Sequence, residues 1–132
     1  MGRVIHFEIH VTDVARAIAF YETVMGWRIR PWNGESDGYW LIETGEHGTA
    51  GIDGALMLRH GPAPVDGQPL TGFMCTAEVA DVDGVTAAAE KAGGRVALAK
   101  RPIPGVGWHA CIHDSEGNIL GLLQPDPAAA SG

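Results

Sequence analysis

Cysteine is scarce in this 132-residue chain. Cys75 and Cys111 could form one disulfide at most, which excludes a disulfide-stapled secreted scaffold. Neither lies in a CxxC pair or at Cys/His zinc spacing, so the expectation is two buried, reduced thiols. Basic residues are few as well. Nine Lys and Arg stand against sixteen Asp and Glu, a net charge of −7, and nowhere do the cations cluster. A nucleic-acid partner needs a cationic footprint to displace phosphate counterions, so none is expected. No apolar run approaches the roughly 20 residues of a membrane helix. Residues 1–11 lack the basic start, apolar stretch and cleavage site of a signal peptide, which points to the cytoplasm and away from membranes. What is present, 45 % apolar and 19 % charged residues, is the composition of a folded chain. Its length suits one domain, or two small modules sharing a core.

Shifted by 68 positions, the sequence partly superimposes on itself. Val11 meets Val79, Asp13 meets Asp81, Val14 meets Val82, Ala19 meets Ala87, Glu22 meets Glu90, Gly26 meets Gly94 and Trp40 meets Trp108. The hydropathy patterns repeat in the same order. Residues 3–11 alternate, with Ile5, Phe7, Ile9 and Val11 on one face and His6, Glu8 and His10 on the other, which predicts a half-buried strand. Asp13 then caps a helix whose Val14, Ile18, Tyr21 and Met25 recur at helical spacing, and Gly26 suits its exit. Strands are predicted at 28–32, 39–44 and 52–59. The second copy has a strand at 73–79, a helix capped by Asp81 and closed by Gly93-Gly94, and strands at 95–100, 107–113 and 119–124. The turn Asp114-Ser115-Glu116-Gly117-Asn118 has the residues of a tight hairpin. The reading is an α+β chain with a first βαβββ module at 1–60, a proline-bearing linker at 61–70, a second βαβββ module at 71–125 and a flexible, frayed tail at 126–132.

Val4-Ile5-His6 leading into Asp13, the run Ala19-Phe20-Tyr21-Glu22 followed by Gly26-Trp27, and Asp114-Ser115-Glu116-Gly117-Asn118 resemble the vicinal oxygen chelate superfamily. That superfamily includes glyoxalase I, bleomycin-resistance proteins, fosfomycin-resistance enzymes and extradiol dioxygenases. The resemblance covers nearly the whole chain and implies paired modules whose sheets curve around a concave cavity, with the helices outside. It also implies metal ligands on the first and last strands of each module. Carried over residue by residue, these positions are His6, Ala55, Met74 and Gly121. Only His6 is a competent ligand for a divalent ion, since thioether sulfur suits soft ions and Ala and Gly bring no donor. No metal or other cofactor is therefore expected, and a divalent ion with displaced ligands is the alternative.

If the apolar alternation faces the helices, His6, Glu8 and His10 face the cavity. Met74, Thr76 and Glu78 take the equivalent face of the second module, while Asp53, Ala55, Met57 and Arg59 point inward from the strand at 52–59. The candidate ligand-binding set is His10, Trp40, Asp53, Met57, Arg59, Met74, Thr76, Trp108 and Gly121. His6 reads either as a hydrogen-bonded structural histidine or, with Glu8, as an acid–base pair. Trp40 and Trp108 read either as core or as flanks of an aromatic ligand. The facing of His109, Cys111 and His113 stays open, and Cys75 is expected under the helix. Three functions follow: a metal-free binder of a small organic molecule, similar to bleomycin-resistance proteins; a metal-dependent lyase, isomerase or dioxygenase; or a metal-free acid–base enzyme using His6 and Glu8. Binding is the favoured reading, with a homodimer as its expected assembly.

Overall fold

Element order is β1 (Phe7–Val11), α1 (Val14–Met25), β2 (Arg28–Asn33), β3 (Glu35–Glu43) and β4 (Gly54–Leu58), then β5 (Thr76–Glu78), α2 (Val82–Lys91), β6 (Arg95–Ile103), β7 (Gly107–His113) and β8 (Ile119–Pro125). This computed structural model describes residues 1–33 and 35–130. The pattern is βαβββ twice. Each module has its own four-stranded sheet, ordered β1-β4-β3-β2 in one and β5-β8-β7-β6 in the other. In both sheets the first strand runs parallel to the last, and the remaining pairs are antiparallel. The chain divides into two compact units between Ala63 and Pro64.

The helices start and stop for local reasons. The Asp13 carboxylate accepts from the Arg16 amide at 3.0 Å, and Gly26 leaves α1 at φ 69°, a left-handed angle that glycine adopts freely. Asp81 repeats the cap, accepting from the Gly84 amide at 3.1 Å. A Cβ at residue 84 would stand 2.5 Å from Asp81 Oδ2, so glycine there is what lets the carboxylate fold over the helix start. The buried stripe of α1 is Ala17, Phe20, Tyr21 and Val24, and the expected Val14, Ile18 and Met25 flank it half-buried. Tyr21 stacks on Trp27 just beyond the helix, and Trp27 in turn meets Phe7 of β1. In the second unit Val82 and Ala89 of α2 are buried, with Ala110, Ile112, Leu120 and Leu122 from β7 and β8.

Both first strands start later than the alternation suggests. Regular pairing begins at Phe7 opposite Gly54, the first residue of β4, and at Thr76 opposite Gly121, two residues into β8. Upstream of Phe7 the chain outruns β4, whereas upstream of Thr76 β8 still runs alongside and the Gly121 amide donates to the Cys75 carbonyl at 2.9 Å. Ile5, expected under the helix with Phe7 and Ile9, is 79 % exposed, and Cys75, expected in the core, is exposed too. The hairpin at 114–118 closes as expected. Asp114 is buried, and its carboxylate accepts from the amides of Glu116 and Asn118, both at 2.8 Å. Residues 126–130, expected to fray, turn back instead: Gly105 donates to the Ala129 carbonyl at 3.0 Å and Ala129 is buried. Residues 131 and 132 of that expected tail lie outside the described residues.

Candidate functional site

Strand register decides which side chains share a face, because paired residues on neighbouring strands point the same way. In the first module one face is taken by the helix. Phe7, beside Gly54, reaches Trp27, and Ile9 lies in a row with Leu56 and Trp40. The other face carries Glu8 in a row with Ala55, Leu41 and Arg30, and His10 in a row with Met57 and Tyr39. His6 shares the parity of Glu8, and its contact with Tyr39 places it on this helix-free side.

A chain of polar contacts crosses that face. Tyr39 Oη donates to Glu8 Oε2 at 3.1 Å, and His6 Nε2 lies 2.9 Å from the same phenol oxygen. Since the phenol proton is engaged by Glu8, the His6 bond forms when Nε2 carries the ring proton and donates. Glu8 Oε1 also faces His10 Nε2 at 3.5 Å. Burial holds the Tyr39 phenol above its ordinary pKa, and the Glu8 carboxylate that accepts its proton pushes the same way. Trp32 stands edge-on to Tyr39, with ring centroids 6.4 Å apart, and is 57 % exposed. At the far side of the sheet Arg30 and Arg28 both pair with Glu43.

The expected site residues divide. His6, Glu8, His10 and Met57 come together on the helix-free face, and Arg59 continues the parity of Met57 just beyond β4. Asp53 does not join them: its carboxylate accepts from the Thr44 amide at 2.8 Å and is occupied in closing the β3–β4 connection. Trp40 faces the helix side in the row of Ile9 and Leu56. Trp108 does the same in the second module. It pairs with Gln124, whose side-chain oxygen accepts from the Val82 amide at the start of α2. Trp108 donates to Asp126 and lies under the Lys100 ammonium. Neither tryptophan is placed to flank a ligand on the helix-free faces. Tyr39, which the sequence reading passed over, is there instead. The signal was present: Tyr39, Leu41 and Glu43 alternate against Trp40 and Ile42.

The helix-free face of the second module carries Thr76 in a row with Gly121, Cys111 and Leu98, and Glu78 in a row with Leu123, His109 and Arg101. His113 follows beside Ile119 and Arg95. Register thus settles the open facing of His109, Cys111 and His113. Met74 lies upstream of β5 and is 37 % exposed.

The residues do not fit a divalent ion at the positions that the superfamily resemblance implies. Ala55 is fully buried and Gly121 has no side chain; a Cβ there would stand 2.6 Å from Thr76 Oγ1, so Thr76 fills that space. Among the described residues, no group of three or more His, Cys, Asp or Glu side chains is arranged to hold a metal.

The family described as bleomycin resistance protein-like N-terminal matches residues 3–45. No curated protein matches the chain. Solved structures do. A glyoxalase-related enzyme from Fulvimarina pelagi is 16 % identical, with 100 % of each chain covered and a TM-score of 0.67. The trypanothione-dependent glyoxalase I of Leishmania major is 22 % identical over 94 % of this chain and 87 % of its own, at TM-score 0.66. The fosfomycin resistance protein FosX of Listeria monocytogenes, solved with Mn(II) and a dihydroxypropylphosphonic acid, is 17 % identical over 95 % of this chain and 92 % of its own, at TM-score 0.68. The chain therefore has the vicinal oxygen chelate fold of two βαβββ modules, and residues 3–45, β1 to β3 of the first, match the bleomycin resistance protein-like N-terminal family.

Proposed function

We propose that this protein binds a small organic molecule on the helix-free face of its first module, without the divalent ion used by metal-dependent proteins of its fold. The observation that carries the reading is the polar chain His6–Tyr39–Glu8–His10 laid beside Ala55, Leu41 and Met57. A few fixed polar groups on an apolar floor are what orient and hold an organic ligand. Ala55 and Gly121 bring no donor where a metal would need one. A second reading rests on the same chain. Tyr39 links an imidazole to a carboxylate, so a proton withdrawn by Glu8 or His6 has a path across the face, as a metal-free acid–base enzyme requires.

Assembly as a cytoplasmic homodimer belongs to the same proposal. Val4 and Ile5 before β1, and Phe73 and Met74 before β5, are apolar and exposed, beside the two first strands that end their sheets. Edges of this kind favour pairing with another chain. Free thiols at Cys75 and Cys111 suit a reducing compartment. No helix is long and apolar enough to cross a membrane, and a net charge of −7 disfavours nucleic acid.

Elemental analysis and native mass spectrometry of the purified protein test the function. Far less than one Zn, Ni, Fe or Mn per chain is expected, with an organic molecule retained by the wild type and lost from Glu8→Gln. Stoichiometric metal that disappears in His6→Gln would refute the metal-free reading. Sedimentation as a monomer at micromolar concentration would refute the dimer.

A further inference from the structure

The second module's helix-free face carries a cation with no acid beside it among the described residues. β6 is irregular twice, between Val96 and Leu98 and between Leu98 and Arg101. Leu98 pairs with Cys111 and Arg101 with His109, so three residues of β6 span two of β7. Three residues apart on a regular strand, Leu98 and Arg101 would point to opposite faces. The first irregularity brings Leu98 onto the face of Arg95 and Cys111; the second restores the parity of Arg95 to Arg101 and sets it beside His109. Its neighbour Lys100 goes to the other side, where it meets Asp83 at 2.9 Å and covers Trp108. Burial raises the Cys111 thiol pKa on that face, and the Arg101 guanidinium offsets part of the rise.

Every neighbouring cation on this sheet is spoken for. Lys100 pairs with Asp83 and Arg95 with Asp66, whereas Arg101 has no acidic partner among the described residues. Glu78, the one carboxylate in its row, is three strands away, beyond His109 and Leu123. Beside Arg101, the Nδ1 atom of His109 is buried and has no hydrogen-bond partner among the described residues, while its Nε2 lies 4.0 Å from Cys111 Sγ. Leu98 and Leu123 bound the spot.

From this geometry we infer a second ligand subsite, in which Arg101 and His109 bind the carboxylate of a small organic acid whose apolar body rests between Leu98 and Leu123. The guanidinium fork matches a carboxylate in two parallel hydrogen bonds, which an ammonium does not. The orphaned imidazole nitrogen supplies a further donor when it carries the ring proton. The inference deepens the proposed function and rests on its premise that ligands use the helix-free faces, here with the chemical class named.

The test is a nuclear magnetic resonance titration of the intact protein with benzoate and, in parallel, with neutral benzamide. The imidazole signals of His109 and His113 are assigned through His109→Gln and His113→Gln. Benzoate is expected to shift His109 saturably, and Arg101→Gln should weaken that binding at least tenfold, with Arg101→Lys intermediate. Urea unfolding of Arg101→Gln, an exposed side chain without an acid partner, should match wild type and exclude a folding defect. If benzamide shifts His109 as well as benzoate does, the face binds organic molecules and the carboxylate assignment is wrong. An Arg101→Gln titration indistinguishable from wild type overturns the assignment too. No shift of His109 with either compound overturns the subsite, while the first-module reading stands or falls separately on Glu8→Gln.

Discussion

Thr76 and Gly121 face each other across the β5–β8 ladder, and substituting them measures whether the space of a metal ligand has been closed. In Gly121→Ala the new Cβ would lie 2.6 Å from Thr76 Oγ1 and 3.3 Å from Thr76 Cβ. The first distance is shorter than real contacts allow, so something must shift. Thr76 is exposed and free to turn, but a β-branched side chain has few ways to clear the spot. Overpacking of this sort costs about 1–3 kcal/mol. Against it stands a gain of about 0.4–1 kcal/mol, because alanine restricts the unfolded chain more than glycine does. The net expectation is a loss of about 1–2 kcal/mol, read as a lower midpoint in urea with an unchanged slope. Thr76→Ala removes Oγ1 and leaves only the 3.3 Å approach. In that background Gly121→Ala should be nearly neutral, a coupling of about 1–2 kcal/mol in the double-mutant cycle. Additive effects, or a Gly121→Ala protein as stable as wild type, would mean that Thr76 does not fill the space. The argument against a ligand at residue 121 would then lose its steric half.

Other outcomes follow from the same geometry. Phe7→Ala should cost about 2–4 kcal/mol in unfolding experiments, somewhat under the full range for a buried ring because Phe7 is half-buried, while Glu8→Gln should alter ligand retention more than stability. Asp114→Ala strands the amides of Glu116 and Asn118 in a buried turn and should cost about 2–4 kcal/mol by the same measurement. Ultraviolet titration should find Tyr39 ionising above its unfolded value of 10.0, with Glu8→Gln lowering it only in part because burial is the larger cause. A raised folded pKa stabilises below the unfolded value, and that contribution is lost as pH rises through the folded one. The Tyr39 and Cys111 contributions should therefore both persist at neutral pH and disappear on the alkaline side, above the thiol's unfolded 9.0 and the phenol's 10.0.

The local signals were sufficient for the βαβββ order, the two aspartate caps, the glycine exit of α1 and the hairpin at Asp114, because each depends on residues within a turn or so of one another. Alternation also placed Glu8 and His10 against Phe7 and Ile9, since period two is a property of one strand. Pairing between strands is not. A strand continues only as far as its neighbour accompanies it, which left Ile5 exposed although its pattern read as core. The repeat misled for a related reason. A shift of 68 aligns Trp40 with Trp108, yet Trp40 pairs with Leu56, whereas Leu122, the matching residue of β8, pairs with Ala110. The third strands of the two modules are offset by two residues in register, so the tryptophans are not equivalents, and both face helices. Asp53 was drawn off by a backbone amide nine residues away, at Thr44. Tyr39 became the centre of the polar chain only when β3 was laid beside β4, and Arg101 came beside His109 only through the two irregularities of β6. Sequence periodicity determined which side chains could share a face; ladder register, set by packing between strands distant in the chain, decided which of them meet.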